Sequence, residues 1–218
     1  MNLNIKSLLV SFVLIIGLVY LGNAQTDTNS KTGAGTDTKK YGGIYVGYVY
    51  PGKFGTDNGY SAGLEYKGGF SLKYYTNLWG IGGNWDRFLL GFEYNLIKAE
   101  VTNKSLMGNY NKTNSTNLRM LTGYGLSLGN SIDFTPQLGL GYVAYRSNYK
   151  DVDNFVDRGA SFSIAPEVTV KVSKLIGIYA SPELRYELMT VKAAKSADIN
   201  YHKNMLFNVT FGVAIMLN

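Results

Sequence analysis

The stretch that decides the fold is residues 160–172, which read ASFSIAPEVTVKV. Every second residue is apolar, and the residues between them are small or polar. A period of two places the two sets on opposite faces of a β-strand. The apolar face holds Ala160, Phe162, Ile164, Pro166, Val168, Val170 and Val172, and the other face holds Ser161, Ser163, Ala165, Glu167, Thr169 and Lys171. These residues therefore predict one long strand with an unbroken apolar face.

The same alternation recurs along the chain from Tyr41 onward. Alternating runs cover residues 88–96, 118–128, 134–142, 176–188 and 207–217. Residues 43–50 are apolar on both faces, and residues 60–75 form a long run with Gly68 and Gly69 in its middle, where a bulge can shift the phase. Counting that long run once predicts an all-β protein, a closed antiparallel eight-stranded transmembrane β-barrel formed by residues 41–218.

After the first pair of strands, which is an exception, the connections between these runs alternate in length. Residues 102–116, 147–158 and 190–204 form long connections, and residues 129–133 and 173–175 form short ones. Outer-membrane barrels have long extracellular loops and tight periplasmic turns. The pattern therefore predicts a bacterial outer-membrane location with both chain termini in the periplasm.

The first residues have a different composition. Lys6 precedes an apolar segment from Leu8 to Leu21, and Gly22, Asn23 and Ala24 provide a small-residue cleavage site. These features predict a signal peptide at residues 1–24; the alternative is a retained membrane anchor. Residues 25–40 are polar and predict a flexible tail.

Composition restricts the classes of function. The chain has 18 Tyr, 26 Gly and no Cys, which excludes disulfides and thiolate metal sites. Its formal charge is +6, and its Lys and Arg residues are scattered along the sequence instead of forming the basic stripe that nucleic-acid binding requires. We therefore expect no nucleic-acid partner, no cofactor and no metal site.

The polar faces of the strands carry the charged residues. A continuous apolar face is costly in water but not in lipid, so we expect the apolar face to contact outer-membrane lipid and the polar face to line the lumen. A secreted β-sandwich is the alternative, but its strands are usually shorter. An eight-stranded barrel is narrow enough for side chains to fill it, which predicts a lumen ion-pair network and argues against a diffusion pore. The predicted members are Glu65, Lys67, Glu93, Arg119, Glu167, Lys171, Glu183, Arg185 and Glu187.

A short sequence motif is repeated within the chain and is called the internal echo here. Three successive strands carry an outward proline followed by an inward Gln or Glu: TPQL at 135–138, APEV at 165–168 and SPEL at 181–184. The chain also has a predicted signal peptide, eight predicted strands with alternating faces, and long connections that alternate with short ones. On these features, the region 42–218 resembles the small, porin-like outer-membrane barrels of the OmpA/OmpX type.

The resemblance implies a non-enzymatic membrane barrel with a structural or adhesive role, or a role as an accessory subunit of an outer-membrane assembly. The alternatives are a narrow porin-like channel and, less favoured, a barrel enzyme. The single histidine, His202, lies in a predicted loop without a nucleophile in register, so it is a poor general base.

Overall fold

The computed structural model describes residues 42–53, 59–77, 87–107, 110–149, 152–190 and 202–217. Within these ranges, no helix is long and apolar enough to span a membrane. The predicted signal peptide (1–24) and tail (25–40) lie outside the described residues. The strands are β1 Gly43–Lys53, β2 Leu64–Asn77, β3 Phe88–Val101, β4 Lys112–Tyr124, β5 Leu126–Leu128, β6 Ile132–Tyr149, β7 Val152–Lys171, β8 Ile176–Thr190 and β9 Lys203–Met216. Two short helices, a 3₁₀ helix at Tyr60–Gly63 and an α-helix at Lys104–Met107, complete the described elements.

The strands close on themselves into a barrel. They pair antiparallel in the order β4-β3-β2-β1-β9-β8-β7-β6-β5, and β4 also pairs with β6. Strands β4 and β5 flank Gly125 and pair with successive parts of β6, so together they form one wall strand. The prediction of a closed eight-stranded antiparallel barrel is confirmed.

The pairing register gives the strands a strong tilt. Stepping between paired residues once around the wall from Gly43 leads back to β1 at Lys53, ten residues further along the strand. A barrel with such a stagger has strands inclined by about 40° to its axis. The intermediate steps are Tyr75, Gly91, Leu121, Gly139, Ser163, Arg185 and Leu206.

The two ends of the barrel differ. At one end, here the termini end, β1 begins beside the end of β9, and residues 172–175 form the turn between β7 and β8. The opposite end, here the loop end, carries residues 59–63, 102–107 and 110–111. The prediction of a long connection at residues 147–158 is wrong, because β6 continues to Tyr149 and β7 starts at Val152. Pairing such as Tyr145 with Asp157 continues the sheet through residues whose sequence lacks the apolar alternation.

A β-bulge divides β2 into two phases. The register between β2 and β3 shifts between Tyr66 and Gly68, and Gly68 has φ 129°, a conformation that side-chain-bearing residues rarely adopt. After the bulge, Ser71 and Lys73 point inward; before it, Glu65 and Lys67 point outward.

The three prolines of the internal echo form a row across β6, β7 and β8. Pro136 is paired with Pro166, and the register places Pro182 opposite Pro166 on the other side. Pairing between β7 and β8 stops after Ile164–Leu184 and resumes at Val168–Ala180. Proline lacks the N–H that a ladder requires, which accounts for the interruption.

Candidate functional site

The outer wall of the barrel is apolar and exposed. Its outward-facing residues, here the apolar belt, include Met120, Leu138 and Ile164, which are 62%, 55% and 61% exposed. A water-soluble protein buries such side chains, and contiguous apolar patches of this extent mark an interaction surface. Further members on these and other strands are Ile44, Val46, Tyr48, Leu72, Tyr74, Leu90, Phe92, Leu118, Leu140, Phe162, Ile178, Phe211, Val213 and Ile215.

The middle of the lumen holds charged side chains, here called the lumen network. Arg119 is buried and forms ion pairs with both Glu93 and Glu183. Arg185 is fully buried; its Nη2 lies 2.7 Å from Oε1 of Glu183, and its Nη1 lies 3.8 Å from Oε1 of Glu187. Charges withdrawn from water at this depth are tolerated only when they are paired and hydrogen-bonded. The inward faces of β3, β4 and β8 are thus joined by ion pairs across the lumen.

Lys73 also belongs to the lumen network, although it is not among the members predicted from sequence. Its Nζ lies 3.1 Å from Oε2 of Glu167 and 3.7 Å from Oε1 of Glu93, and the residue is 3% exposed. The same ammonium lies 5.5 Å from the ring centroid of Tyr179, within cation–π range. The alternation of Phe70, Leu72 and Tyr74 after the bulge was the signal that places Lys73 inward.

An aromatic layer closes the lumen toward the termini end. The ring of Tyr45 packs edge-on against Tyr75 and Tyr179, with centroids 5.2 Å apart in both pairs. Leu89, Leu121 and Ala214 complete this buried cluster. Gly47 and Gly212 provide space for the Tyr179 ring, since a Cβ on Gly47 would lie 2.3 Å from its hydroxyl oxygen.

A second layer closes the lumen toward the loop end. The 3₁₀ helix inserts Tyr60, which packs on Tyr145 with ring centroids 4.6 Å apart and donates a 2.5 Å hydrogen bond to Asp157. Burial raises the pKa of the Tyr60 hydroxyl, and this hydrogen bond to Asp157 is the second largest cause of the increase. Tyr145 in turn donates a 2.7 Å hydrogen bond to Glu187, which links this layer to the lumen network. Leu64, Ala99, Val143 and Met189 fill the rest of the layer.

The structure places the other predicted lumen residues differently. The prediction that Glu65 and Lys67 face the lumen is wrong: they pair at 2.9 Å on the outer face at the loop end, and Lys67 also pairs with Glu100 at 3.2 Å. The bulge inverts the phase upstream of Gly68, which is why they point outward. Lys171 lies at the termini end, where its Nζ pairs with Asp133 at 2.7 Å, apart from the lumen network.

The lumen network contains more acid than base. Its cations are Lys73, Arg119 and Arg185, and its carboxylates are Glu93, Glu167, Glu183 and Glu187. Beside it, Asn95 Oδ1, Ser115 Oγ and Asn117 Nδ2 are buried and have no hydrogen-bond partner among the described residues. Buried polar atoms generally require a partner, and the described side chains provide none for these three atoms.

The structure also bears on a possible metal site and on the single histidine. Within those ranges, no group of His, Asp and Glu side chains is placed to hold a metal ion. His202 lies at the loop end, with Nδ1 3.1 Å from the carbonyl oxygen of Met189. This contact with Met189 holds the imidazole ring beside the start of β9.

Comparisons with known proteins identify no relative by sequence: no family model matches the chain, and no curated protein is similar to it. Among solved structures, the chain is similar to Ail, the attachment invasion locus protein of Yersinia pestis, in complex with the heparin analogue sucrose octasulfate. That likeness has a TM-score of 0.49 and 11% identity and covers 82% of this chain and 99% of that one. Neisserial surface protein A has a TM-score of 0.49 and 9% identity, and the match covers 82% of this chain and 97% of that one.

Proposed function

We propose that the protein is a non-enzymatic integral barrel of the bacterial outer membrane, with a plugged lumen. It acts through its outer wall and its loop end, as a structural or adhesive protein or as an accessory subunit of an outer-membrane assembly. One observation carries this proposal: the outer wall is an exposed apolar belt, whereas the lumen is filled by buried ion pairs.

The apolar belt supports the membrane location. A bilayer core offers no hydrogen-bond partners, so a spanning sheet must be closed, and the pairing of β4 with β6 closes this one. The wall strands have 11 to 20 residues, and about 9–11 tilted residues cross a bilayer.

The connections and the rim charges support the orientation that we propose. Outward cations gather at the loop end, where Lys98, Lys112, Arg146 and Arg158 are exposed. We assign the loop end to the cell exterior and the termini end to the periplasm, with residues 1–24 removed as a signal peptide and residues 25–40 as a periplasmic tail.

The plugged lumen supports a role outside transport. Aromatic layers stand on both sides of the lumen network, with Tyr45, Tyr75 and Tyr179 on one side and Tyr60 and Tyr145 on the other. An eight-stranded barrel leaves an interior just wide enough for side chains. With the interior occupied, the outer wall and the loop end are the surfaces left for contact with lipid or with other outer-membrane proteins.

Planar-bilayer recording tests the plug. The refolded mature protein is expected to insert without steady conductance, and so is Tyr60→Ala with Tyr145→Ala, because the lumen network and the termini-end layer still close the lumen when these two rings are removed. Tyr142→Ala, which removes an outward-facing ring, is the control and should stay silent. Steady ohmic conductance from the unaltered protein would contradict the plugged barrel.

A narrow channel is the second candidate function. Buried polar atoms of Asn95, Ser115 and Asn117 have no hydrogen-bond partner among the described residues, which favours a channel. Water or a small ion that passes through a lumen requires polar groups along its path. Conductance that is lost in Asn117→Leu would support the channel. An enzyme would instead be indicated by lipid or peptide turnover that His202→Ala abolishes.

A further inference from the structure

Three cations form a diagonal row on the outer face at the loop end. Lys112, Arg146 and Arg158 lie on the neighbouring strands β4, β6 and β7, and all three are exposed. Arg146 pairs with Asn114, two residues from Lys112, and Arg158 pairs with Ala144, two residues from Arg146. Diagonal neighbours on one sheet face are about 7–8 Å apart, so each cation is within side-chain reach of the next. This cationic row therefore presents guanidinium and ammonium groups to one ligand.

The cationic row has little acidic competition among the side chains that the structure describes. Glu100 on β3 is the one outward acid beside it, opposite Lys112, and its carboxylate is paired with Lys67 at 3.2 Å. No ion pair is formed by Arg146 or Arg158 within the described residues. The row is thus a concentration of positive charge at the edge of an apolar surface.

An apolar groove of about 570 Å³ lies further toward the termini end and runs across β3, β4 and β6 to β9, which include the strands of the three cations. Phe162 and Ile164 line it from β7, the strand of Arg158, and Leu138 and Leu140 line it from β6, the strand of Arg146. Outward residues alternate along each strand, so Phe162 follows Arg158 on the same face at a distance of about 13 Å. The three cations and the part of the groove on β4, β6 and β7 therefore share one sector of the outer wall.

We propose that this sector is a binding site for a phosphate-bearing, acylated lipid of the outer leaflet. The inference rests on the proposed membrane location and orientation. The cationic row holds the phosphate groups, since arginine forks match phosphate oxygens bidentately, and the groove holds one acyl chain below them. Charge complementarity selects this occupant, because a partner with a purely apolar surface leaves the three cations without a counter-charge.

The two parts of the site contribute differently. An acyl chain leaves one apolar environment for another when it enters the groove, so the groove adds packing and shape selection without a hydrophobic gain. The cations act at the membrane surface, where each Lys or Arg adds to the attraction for an anionic lipid. Loss of both arginines is therefore expected to weaken lipid retention by about 10- to 30-fold.

Nanodiscs provide the test. The mature protein is reconstituted in phosphatidylcholine containing diphosphorylated lipid A, or its dephosphorylated form, and copies retained after detergent extraction are counted by native mass spectrometry. We compare the unaltered protein with Arg146→Gln combined with Arg158→Gln. The matched control combines Lys53→Gln with Lys203→Gln, which removes the same charge from the loop end on β1 and β9.

The expected result is retention of the diphosphorylated lipid by the unaltered protein and the control, with the 10- to 30-fold loss confined to the arginine pair. Ile164→Trp, which fills the groove without changing charge, should lower retention several-fold. Equal retention of the two lipids, equal loss in both double variants, or no effect of Ile164→Trp would each overturn the site. Failure to insert into either bilayer would contradict the proposed function, whereas insertion without lipid preference contradicts this inference alone.

Discussion

The outer wall and the lumen differ more than any other two regions of this molecule, yet the same strands build both. On β7, Ile164 is 61% exposed, whereas Ser163 and Glu167 on the other face are almost fully buried. On β4, Met120 is 62% exposed and its neighbour Arg119 is 1% exposed. The usual rule of apolar inside and polar outside is therefore inverted. Such an inversion lowers free energy only where the surroundings are apolar and every lumen charge has a partner.

The largest effect is expected from removing a lumen cation. Arg119→Met leaves Glu93 and Glu183 without their shared partner in a buried environment, so the free energy of unfolding should fall by about 3–5 kcal/mol. Urea titration of the lipid-reconstituted protein, followed by the heat-modifiable gel shift, measures this change.

Lys67→Met is the matched control for Arg119→Met. It also removes one cation with two acidic partners, but at an exposed site, where water screens the ion pairs and their loss should hardly change the free energy of unfolding. Similar losses of unfolding free energy in the two variants would mean that water reaches the lumen network. That result would contradict the contrast between a lumen of buried charges and an exposed wall.

A smaller effect is expected from a cation placed on the wall. Ile164→Arg puts a charge in the middle of the apolar belt and should destabilise the folded barrel by about 2–4 kcal/mol in a bilayer. Leu188→Arg lies near the loop end of the same wall, where the cost falls to about 0–1 kcal/mol. Equal stability of both variants in lipid, or a larger loss for Leu188→Arg, would mean that the belt does not contact hydrocarbon.

The smallest effect tests how tightly the lumen is packed. A Cβ on Gly47 would lie 2.3 Å from the Tyr179 hydroxyl oxygen and 2.7 Å from the carbonyl oxygen of Phe211. Gly47→Ala should therefore cost about 1–3 kcal/mol of unfolding free energy through overpacking. Tyr179→Phe in the same chain should restore part of this loss, since it removes the nearest atom but leaves the carbonyl group.

Val46→Ala, one residue earlier but on the outer face, serves as the comparison for Gly47→Ala. Its side chain is 39% exposed on the wall, so a change of under 1 kcal/mol is expected in lipid. If Gly47→Ala is as harmless as Val46→Ala, the termini-end aromatic layer is loose and the plug has to be reconsidered.

Much of this architecture could be predicted from sequence because alternation in a strand is a local property. Residues 160–172 and 176–188 assign wall and lumen faces by period alone, and the structure places Glu167, Glu183, Arg185 and Glu187 inside accordingly. Closure could also be predicted, since eight amphipathic strands bury every backbone group only as a barrel. The internal proline echo, however, did not reveal that Pro136, Pro166 and Pro182 lie side by side.

Tertiary structure alone decided the features that depend on pairing between strands. The bulge at Gly68 turned Glu65 and Lys67 outward and Lys73 inward, because a one-residue shift exchanges the faces of a strand and pairing with β3 sets that shift. The partners of Arg119 and the diagonal of Lys112, Arg146 and Arg158 likewise depend on the stagger around the closed wall. A period of two determines which side of the wall a residue faces, whereas only the register of the closed sheet determines which residues it meets there.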